Sequence, residues 1–389
     1  MTDSDSRLID SFVAHEWASA ADLGPYMTQG WRELLVDRAL SGVAAKEGTR
    51  YSTLRCPALY TDTLGKGAKA TWNGGSAGRS YESLAGDLLE SNYERVVLGY
   101  EDGLLGTAFP NYFVSRTVAS AANDWTIDRW LERDERLYGL VLVAPSLPGD
   151  AASEIRRVGG HARMVGVAMG ASYFGTALGH PIYHPIYAAA EEQGLPIVLN
   201  IVADGAGAAV TPPVAGGLPG TYSEYRILSV QPTITNVASL IVQGIFELFP
   251  NLRLVLCGGG ITWVPSLLWR LDWAYKRDVS AAPWLRSLPS EYFARHVYLT
   301  TYGLEKVPAP EHLAAFLATS PWLKSQLMYA SGWPAAERGT PSGTVDRLPP
   351  EWRSNVRYGN ALSVFRWPDQ ARPDRIEPTL QPSLLGSFT

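Results

Sequence analysis

Residues 246–272, FELFPNLRLVLCGGGITWVPSLLWRLD, carry a strand, a glycine turn and a helix without interruption. The apolar run Leu252–Cys257 is typical of a buried strand, and the stretch Trp263–Tyr275 has the apolar spacing of an amphipathic helix. This order is the repeating unit of a parallel α/β fold, which builds its sites at the carboxyl ends of its strands. We therefore expect a parallel sheet with functional residues just after the strands.

Strand and helix patterns alternate along the whole chain of 389 residues. The predicted strands are Leu8–Val13, Arg95–Gly99, Leu137–Val143, Met164–Ala168, Pro196–Val202, Leu252–Cys257, Val297–Thr300 and Gln326–Ala330. The predicted helices are Ala151–Arg157, Ile186–Gln193, Val237–Phe249, Trp263–Tyr275 and Pro310–Thr319. About eight strands alternating with helices predict an α/β fold, a TIM (β/α)8 barrel that forms a single domain over residues 1–389.

Two regions interrupt this alternation and are interpreted as insertions. Residues 46–92 are rich in Gly, Ser and Lys, and residues 203–223 form a Gly/Pro loop directly after a predicted strand. In a barrel such loops cover the C-terminal mouth and contribute to the site. Residues 366–389 form a Pro- and Arg-rich tail, which we expect to pack over the barrel or a neighbouring subunit.

The composition argues against some classes of function and favours others. The net charge is −5 and the basic residues are dispersed, so no nucleic-acid partner is expected. No apolar run approaches the ~20 residues of a membrane helix, and the polar N-terminus does not resemble a signal peptide. The two cysteines, Cys56 and Cys257, indicate a reducing compartment, so a cytoplasmic protein is predicted. The many tryptophans and tyrosines favour a pocket for an aromatic ligand, with packing inside the barrel or at an interface as the alternative.

Several segments together resemble one protein family. They are ANDWTIDRWLERDERLYGLVLVAPSLPGDAASEIRR (122–157), HPIYHPIYAAAEEQGLPIVLNI (180–201), YSEYRI (222–227), residues 246–272, PSEYFARHVYLTT (289–301) and LMYASGWP (327–334). In this order, over residues 8–365, they are similar to the amidohydrolase-related proteins of the aminocarboxymuconate-semialdehyde decarboxylase-like branch. The resemblance implies a metal-dependent TIM barrel that hydrolyses or decarboxylates small, often aromatic, acids. It also implies a dimer, since relatives tend to form dimers.

The same resemblance implies metal ligands at four strand ends, and this chain departs from the pattern at each. The first strand should end in two ligands one residue apart, but Val13 stands at the first position and only His15 is kept. The fifth strand ends in Asn200 where relatives have His, and the sixth is followed by Gly258 where they have an acidic residue or His. In the last strand, Gly332 replaces the family's metal-binding Asp. We therefore predict a chain without its own metal or cofactor, in which the glycines enlarge the cavity.

Polar and aromatic residues at the predicted mouth supply a candidate site. The candidate catalytic residues are His15, Asn200, Glu224 and Tyr302, and the candidate substrate-binding residues are Tyr225, Cys257, Trp263 and Trp333. Imidazole and carboxylate groups suit acid–base work, an amide can hydrogen-bond a substrate carbonyl or an oxyanion, and aromatic rings can stack on a ligand. Structural roles are the alternatives: His15 as a core residue, Glu224 in an ion pair, and Cys257 as an inert buried thiol.

Three functions remain open from the sequence. The first is a metal-free tailoring enzyme of specialised metabolism that cyclises, condenses or decarboxylates a small aromatic or polyketide-like substrate. The second is a non-catalytic paralogue that forms a heterodimer with a homologous amidohydrolase retaining its metal; a homodimer is the other predicted assembly. The third is an ordinary metal-dependent hydrolase or decarboxylase with substitute ligands.

Overall fold

The computed structural model describes residues 7–38, 80–86, 93–170, 173, 175–200, 221, 224, 227–307, 309–334, 339–370 and 376. Within these ranges, eight strands form one parallel sheet in chain order, with helices between them. The predicted TIM barrel is therefore confirmed. Most of the predicted insertions (46–79, 87–92, 203–220 and 222–223) and most of the predicted tail lie outside the described residues.

The strands run close to their predicted bounds. They are β1 (Ile9–Ala14), β2 (Arg95–Gly99), β3 (Leu137–Leu142), β4 (Met164–Met169), β5 (Ile197–Asn200), β6 (Leu254–Cys257), β7 (Val297–Thr300) and β8 (Leu327–Met328). Almost every strand residue is buried, because the strands of a parallel barrel are covered on both faces. This explains why the sequence shows them as continuous apolar runs rather than as an alternating pattern.

Helices cover the outside of the sheet. In the described ranges they are α1 (Ala20–Leu23), α2 (Gln29–Arg32), α3 (Tyr81–Leu84), α4 (Tyr112–Arg129), α5 (Pro148–Val158), α6 (His184–Gln193), α7 (Gln231–Val242), α8 (Ile245–Leu248), α9 (Val264–Arg277), α10 (Pro289–His296), α11 (Pro310–Thr319), α12 (Pro341–Thr344), α13 (Pro350–Ser354) and α14 (Asn360–Val364). None of these described helices has both the length and the apolar character that crossing a membrane requires.

Several helices, among them α10, were not predicted, and two differences have a clear physical reason. The single helix predicted over Val237–Phe249 is interrupted between α7 and α8, because Gly244 takes a left-handed φ of 73°. Helix α4 was not predicted at all. Its buried face mixes Val114, Val118 and Trp125 with small and polar residues such as Ser115 and Asn123, so its hydrophobic periodicity is weak.

Strand β1 is irregular where it meets the end of the last strand. The barrel is closed there by a backbone hydrogen bond from Ser11 N to Tyr329 O, at 2.9 Å. The register of β1 against β2 shifts between Asp10 and Val13, which marks a bulge. A bulge adds one residue to a strand and re-aims the side chains that follow it. The side chains at the carboxyl end of β1 therefore do not follow the simple alternation that the sequence suggests.

Asp10 ties this bulge to the segment after β8. Its Oδ1 accepts hydrogen bonds from Phe12 N at 3.3 Å and from Ser331 N at 2.9 Å. The residue is fully buried, and its Oδ2 has no partner within the described part of the chain. Burial raises the pKa of Asp10 to about 7, against the opposing effect of its hydrogen bonds to Ser331 and Phe12.

The beginning of the tail closes the amino end of the barrel. Arg95, the first residue of β2, makes two hydrogen bonds to the carboxylate of Asp369, at 3.0 and 2.7 Å. Its guanidinium also lies 4.7 Å from the ring centroid of Trp367, which packs edge-on against Tyr138. The residues around 366–369 thus pack against the barrel, at the end opposite to the predicted mouth.

A glycine permits close packing of the interior at the mouth. A Cβ atom at Gly99, the last residue of β2, would lie 2.3 Å from Cε2 of Phe12 and 3.3 Å from Cδ1 of Leu140. Real Cβ contacts are not that short, so the Phe12 ring occupies the space that a side chain at position 99 would need. The absence of a Cβ atom at Gly99 therefore allows an aromatic ring to enter the barrel.

We expect Gly99→Ala to lower the free energy of unfolding by about 1–3 kcal/mol, because it overpacks a filled interior. The matched control is Gly149→Ala in helix α5, where no atom lies within 4 Å of the added Cβ. The control should leave stability unchanged or raise it slightly. Urea unfolding of both variants measures this. Equal effects of the two substitutions would contradict the packing of Phe12 described above.

Asp10→Asn tests the burial of the carboxyl group. Because the folded-state pKa is raised, the stability that protonated Asp10 contributes is fully present below about pH 4 and is lost as the pH rises through about 7. Asparagine imitates the protonated form. We therefore expect the variant to become progressively more stable than the wild type between pH 4 and 8, by at most about 4 kcal/mol. Urea unfolding at several pH values measures the difference, and a difference independent of pH would contradict this account.

Candidate active site

Two aromatic rings stack inside the carboxyl end of the barrel. Phe12 comes from β1 and Tyr302 from the loop after β7; their ring centroids are 5.8 Å apart and their planes differ by 12°. The Tyr302 ring occupies the place of a side chain at Gly332, where a Cβ atom would lie 2.1 Å from Cδ2 of Tyr302. The prediction that glycine at position 332 enlarges the cavity is therefore wrong, because the tyrosine ring fills that space.

The backbone around Gly258 is likewise packed. Gly258, Gly259 and Gly260 all have positive φ values, of 87°, 81° and 69°. A Cβ atom on Gly303, in the loop after β7, would lie only 3.1 Å from Gly259 N and 3.4 Å from Gly258 Cα. The two loops therefore approach each other closely; the expected enlargement of the cavity at Gly258 remains a prediction.

A carboxylate meets the hydroxyl of Tyr302. Tyr302 Oη donates a hydrogen bond to Oε1 of Glu101 at 2.5 Å, a length typical of O–H···O⁻ bonds. Glu101 is almost fully buried, whereas Tyr302 is partly exposed. The pair joins the end of β2 to the end of β7 and holds a proton between two oxygens. Such an arrangement can donate or accept a proton at a bound substrate.

Buried Glu16 fixes the backbone that carries Glu101. Its Oε1 accepts hydrogen bonds from the backbone N–H groups of Glu101, at 3.0 Å, and of Gly103, at 3.1 Å. These bonds hold the start of the 3-10 turn Asp102–Thr107. Neither glutamate was predicted from the sequence as a site residue. The available signal was the place of Glu101, two residues after a correctly predicted strand, where barrel sites are built.

Asn200 lies at the end of β5, in register with Cys257 on β6. Its Nδ2 donates to the carbonyl oxygen of Tyr100 at 2.9 Å, and its buried Oδ1 has no partner among the described residues. The bond to Tyr100 sets the orientation of the amide, because a flipped amide would place two oxygens together. The atom without a partner is therefore an acceptor. It suits a ligand N–H or O–H; the contact with a substrate carbonyl or oxyanion considered from the sequence, which would use the second N–H of Nδ2, remains a prediction.

Cys257 lies buried beside Asn200. Burial raises the pKa of its thiol well above the ordinary value, and the negative charges of Glu101 and Asp10 act in the same direction. A thiol in these surroundings stays protonated, so it is a poor nucleophile near neutral pH. Its role as a substrate-binding residue remains a prediction.

His15 packs against helix α4. Its Nδ1 is 2.7 Å from the carbonyl oxygen of Gly99 and its Nε2 is 2.8 Å from Oγ1 of Thr126. Trp125 and Trp130 lie against the ring, with centroids 5.4 and 5.3 Å away. Burial lowers the pKa of His15 to about 4. Both ring nitrogens of His15 therefore have hydrogen-bond partners within the fold, which supports the alternative of a core histidine. The shift of register in β1 changes the direction of the side chains that follow, so the sequence spacing misplaced His15.

Glu224 and Tyr225 follow the predicted roof loop. Glu224 is exposed, and its Oε2 accepts a hydrogen bond from Thr221 N at 2.9 Å. A carboxylate exposed to water lacks the desolvation that would make it a strong general base. Tyr225 lies outside the described residues, so its predicted role in substrate binding is untested.

The two candidate tryptophans occupy different surroundings. Trp333 is fully buried and precedes a cis peptide bond to Pro334. Its ring is therefore not exposed for stacking on a ligand, in contrast to the prediction. Trp263 is half-buried at the start of α9, and its Nε1 donates to Gly259 O at 3.1 Å. This bond supports the turn after β6. The contact of Trp263 with a substrate remains a prediction.

The described residues do not fit the metal centre that the family resemblance implies. Val13, Gly258 and Gly332 offer no ligand atom, and both nitrogens of His15 are engaged. Across the described ranges, no group of three or more His, Cys, Asp and Glu side chains is arranged to hold a metal ion. A catalytic zinc site normally needs three protein ligands and one open position.

A separate surface cavity lies beside the end of α4. Its volume is about 300 Å³, and its lining includes Asp22, Tyr81, Trp125 and Arg129. Its lining does not include the residues at the carboxyl end of the barrel described above. The candidate site is therefore the cluster formed by Glu101, Tyr302 and Asn200 rather than this cavity.

Comparison with known proteins places this fold in a family. A family model described as amidohydrolase matches residues 95–367. A search of curated protein sequences found no match. Similar solved structures include 5-carboxyvanillate decarboxylase from Sphingomonas paucimobilis, with 22% identity, a TM-score of 0.57, and coverage of 93% of this chain and 99% of that one.

Two further solved structures are similar. One is a mutant 5-carboxyvanillate decarboxylase from Novosphingobium aromaticivorans with bound manganese and 3-methoxy-4-hydroxy-5-nitrobenzoic acid (16% identity, TM-score 0.62, coverage 93% and 97%). The other is 2,6-dihydroxybenzoate decarboxylase from Rhizobium (16% identity, TM-score 0.56, coverage 92% and 98%). At these identities the structures support the fold alone. Since the family model spans well over half of the sequence, the chain belongs to the amidohydrolase family.

Proposed function

We propose that this protein is a metal-independent enzyme of the amidohydrolase fold that performs acid–base chemistry on a small aromatic or polyketide-like molecule. The hydrogen bond between Tyr302 Oη and Glu101 Oε1, at 2.5 Å, carries this proposal. It places a phenol and a buried carboxylate together at the carboxyl ends of the strands, where barrels of this kind react with their substrates.

The three side chains of the site have different roles in the proposed reaction. Tyr302 is partly exposed and donates or accepts the proton at the substrate, and Glu101 exchanges that proton with it. Asn200 orients the substrate through its buried amide oxygen. Cyclisation, condensation and decarboxylation-type reactions of aromatic compounds all contain a proton transfer to or from carbon or oxygen, which is the step this pair can perform.

The aromatic substrate in this proposal is chosen by analogy with the similar solved structures. Two of them are, by their names, decarboxylases of 5-carboxyvanillate and of 2,6-dihydroxybenzoate, which are both small aromatic acids. One related structure contains manganese. At the positions where the family resemblance implies ligands this chain has Val13, Asn200, Gly258 and Gly332. We therefore propose that the carboxylate–phenol pair performs the proton transfer without a metal of the chain's own.

We expect the purified protein to catalyse exchange of ring protons of resorcinol for deuterium in D₂O containing excess EDTA. Exchange requires protonation and deprotonation of a ring carbon, the step that decarboxylation of an aromatic acid also contains. Tyr302→Phe and Glu101→Gln should each lower the rate by about 10²-fold or more, because each removes a proton-transfer group. Proton NMR follows the loss of the ring signals.

Tyr112→Phe is the matched control, since Tyr112 is an exposed tyrosine at the start of α4. This variant should exchange protons at the wild-type rate. A reaction that appears only after manganese is added would defeat the metal-independent proposal. So would an unchanged rate in Tyr302→Phe.

The helix α9 favours a second candidate function, that of a subunit paired with a homologous barrel. Trp269 and Trp273 lie one turn apart on α9 and are 66% and 63% exposed. The guanidinium of Arg277 lies 5.4 Å from the centroid of Trp273. Adjacent exposed tryptophans with a neighbouring arginine are typical of the centre of a protein interface. The occupant we propose is a second copy of this chain or a homologue that kept its metal ligands.

We expect the double substitution Trp269→Glu and Trp273→Glu to abolish this association, because it places charge at the centre of the contact. Sedimentation equilibrium should show a dimer for the wild type, alone or co-expressed with a ligand-complete homologue, and a monomer for the variant. Phe113→Glu, at another exposed aromatic residue, is the control and should remain associated. A wild-type chain that stays monomeric under both conditions would contradict this candidate function.

A further inference from the structure

We infer that Asn200 recognises a neutral hydrogen-bond donor on the ligand, so that the site binds phenols or arylamines in preference to aromatic molecules that lack such a group. The inference deepens the proposed function, since it concerns the same site and defines the class of molecule that the site accepts. It rests on three features of the barrel mouth: an unpartnered acceptor, the charge around it, and the aromatic residues beside it.

The first feature is the amide oxygen of Asn200. The side chain is 2% exposed, and Oδ1 has no hydrogen-bond partner in the part of the chain that the structure describes. Leaving a buried acceptor unsatisfied costs about 1–3 kcal/mol. A ligand O–H or N–H group placed against Oδ1 removes that cost, whereas an ether oxygen or a carboxylate does not.

The polarity of this contact is set by the backbone. Asn200 Nδ2 donates to Tyr100 O at 2.9 Å, which fixes the amide nitrogen on the side of β2. Rotating the amide to offer its nitrogen to the ligand would break this bond and bring two acceptors together. The site therefore presents an acceptor at this position, and the complementary ligand group is a donor.

The second feature is the negative charge near Asn200. Cys257 is the register partner of Asn200; burial raises the pKa of its thiol, and the carboxylate of Glu101, which is hydrogen-bonded to Tyr302, acts in the same direction. A negative charge on Glu101 favours the positive end of an O–H or N–H dipole bound against Oδ1 and opposes an anionic group. A carboxylate on the ligand is thus best tolerated away from Asn200.

The third feature is the aromatic pair. Asn200 bonds to the carbonyl of Tyr100, and the next residue, Glu101, bonds to Tyr302. Asn200 and Tyr302 are therefore both hydrogen-bonded to the segment Tyr100–Glu101 after β2, and Phe12 stacks on Tyr302. On this inference, an aromatic ligand lies against Tyr302 and directs its donor group toward Asn200.

Calorimetric titration of the full chain with phenol, anisole and benzoate, in the presence of EDTA, tests the inference. Each of the three probes contains a benzene ring, and of the three only phenol carries a neutral hydrogen-bond donor. We expect phenol to bind at least about tenfold more tightly than anisole or benzoate, the factor of one hydrogen bond to a buried acceptor. Asn200→Leu, checked for folding by circular dichroism, should lose this preference, with phenol binding weakened about tenfold and anisole binding unchanged.

Three results would overturn the inference: no preference for phenol in the wild type, no binding of phenol at millimolar concentration, or a preference that survives in Asn200→Leu. The titration measures binding without turnover, so its outcome is independent of the ring-proton exchange that tests the catalytic proposal. A preference for phenol without exchange would contradict the catalytic proposal alone. Exchange without the preference would contradict only the role given to Asn200.

Discussion

The hydrogen bond from Tyr302 to Glu101 is the contact on which the proposed chemistry of this barrel depends. It joins the ends of β2 and β7 at 2.5 Å, and each partner is held by the surrounding fold. Buried Glu16 fixes the backbone of Glu101, and Phe12 stacks on the Tyr302 ring. A proton-transfer pair needs this kind of support, because acid–base catalysis requires the two oxygens at hydrogen-bond distance from each other and from the substrate.

Two residues at positions where the family resemblance implies metal ligands also take part in this packing. Gly332 has no Cβ atom to meet the Tyr302 ring, and Asn200 bonds to the backbone next to Glu101. Gly99, at the end of β2, accepts the ring of Phe12 in the same way. These residues form one connected arrangement of aromatic and amide groups at the mouth.

The architecture could be predicted from the sequence, because the apolar runs of the strands depend on burial alone. Even so, helix α4 escaped detection, since its buried face consists largely of small or polar residues such as Ala119 and Asn123. The site was predicted less well. Asn200 and Tyr302, which were chosen from their positions after strands, lie in the cluster that we propose as the site, but Glu101 was missed. His15 was misjudged because a shift of one residue in β1 turns the side chains after it toward a different face.

The central claim is that a carboxylate and a phenol, rather than a bound cation, carry the chemistry of this barrel. Inductively coupled plasma mass spectrometry of the purified chain, combined with an activity assay before and after chelation, tests it most directly. The account predicts a metal content well below one ion per chain and an activity that chelation leaves unchanged. One zinc or manganese ion per chain, with activity lost on its removal and regained on its return, would contradict it.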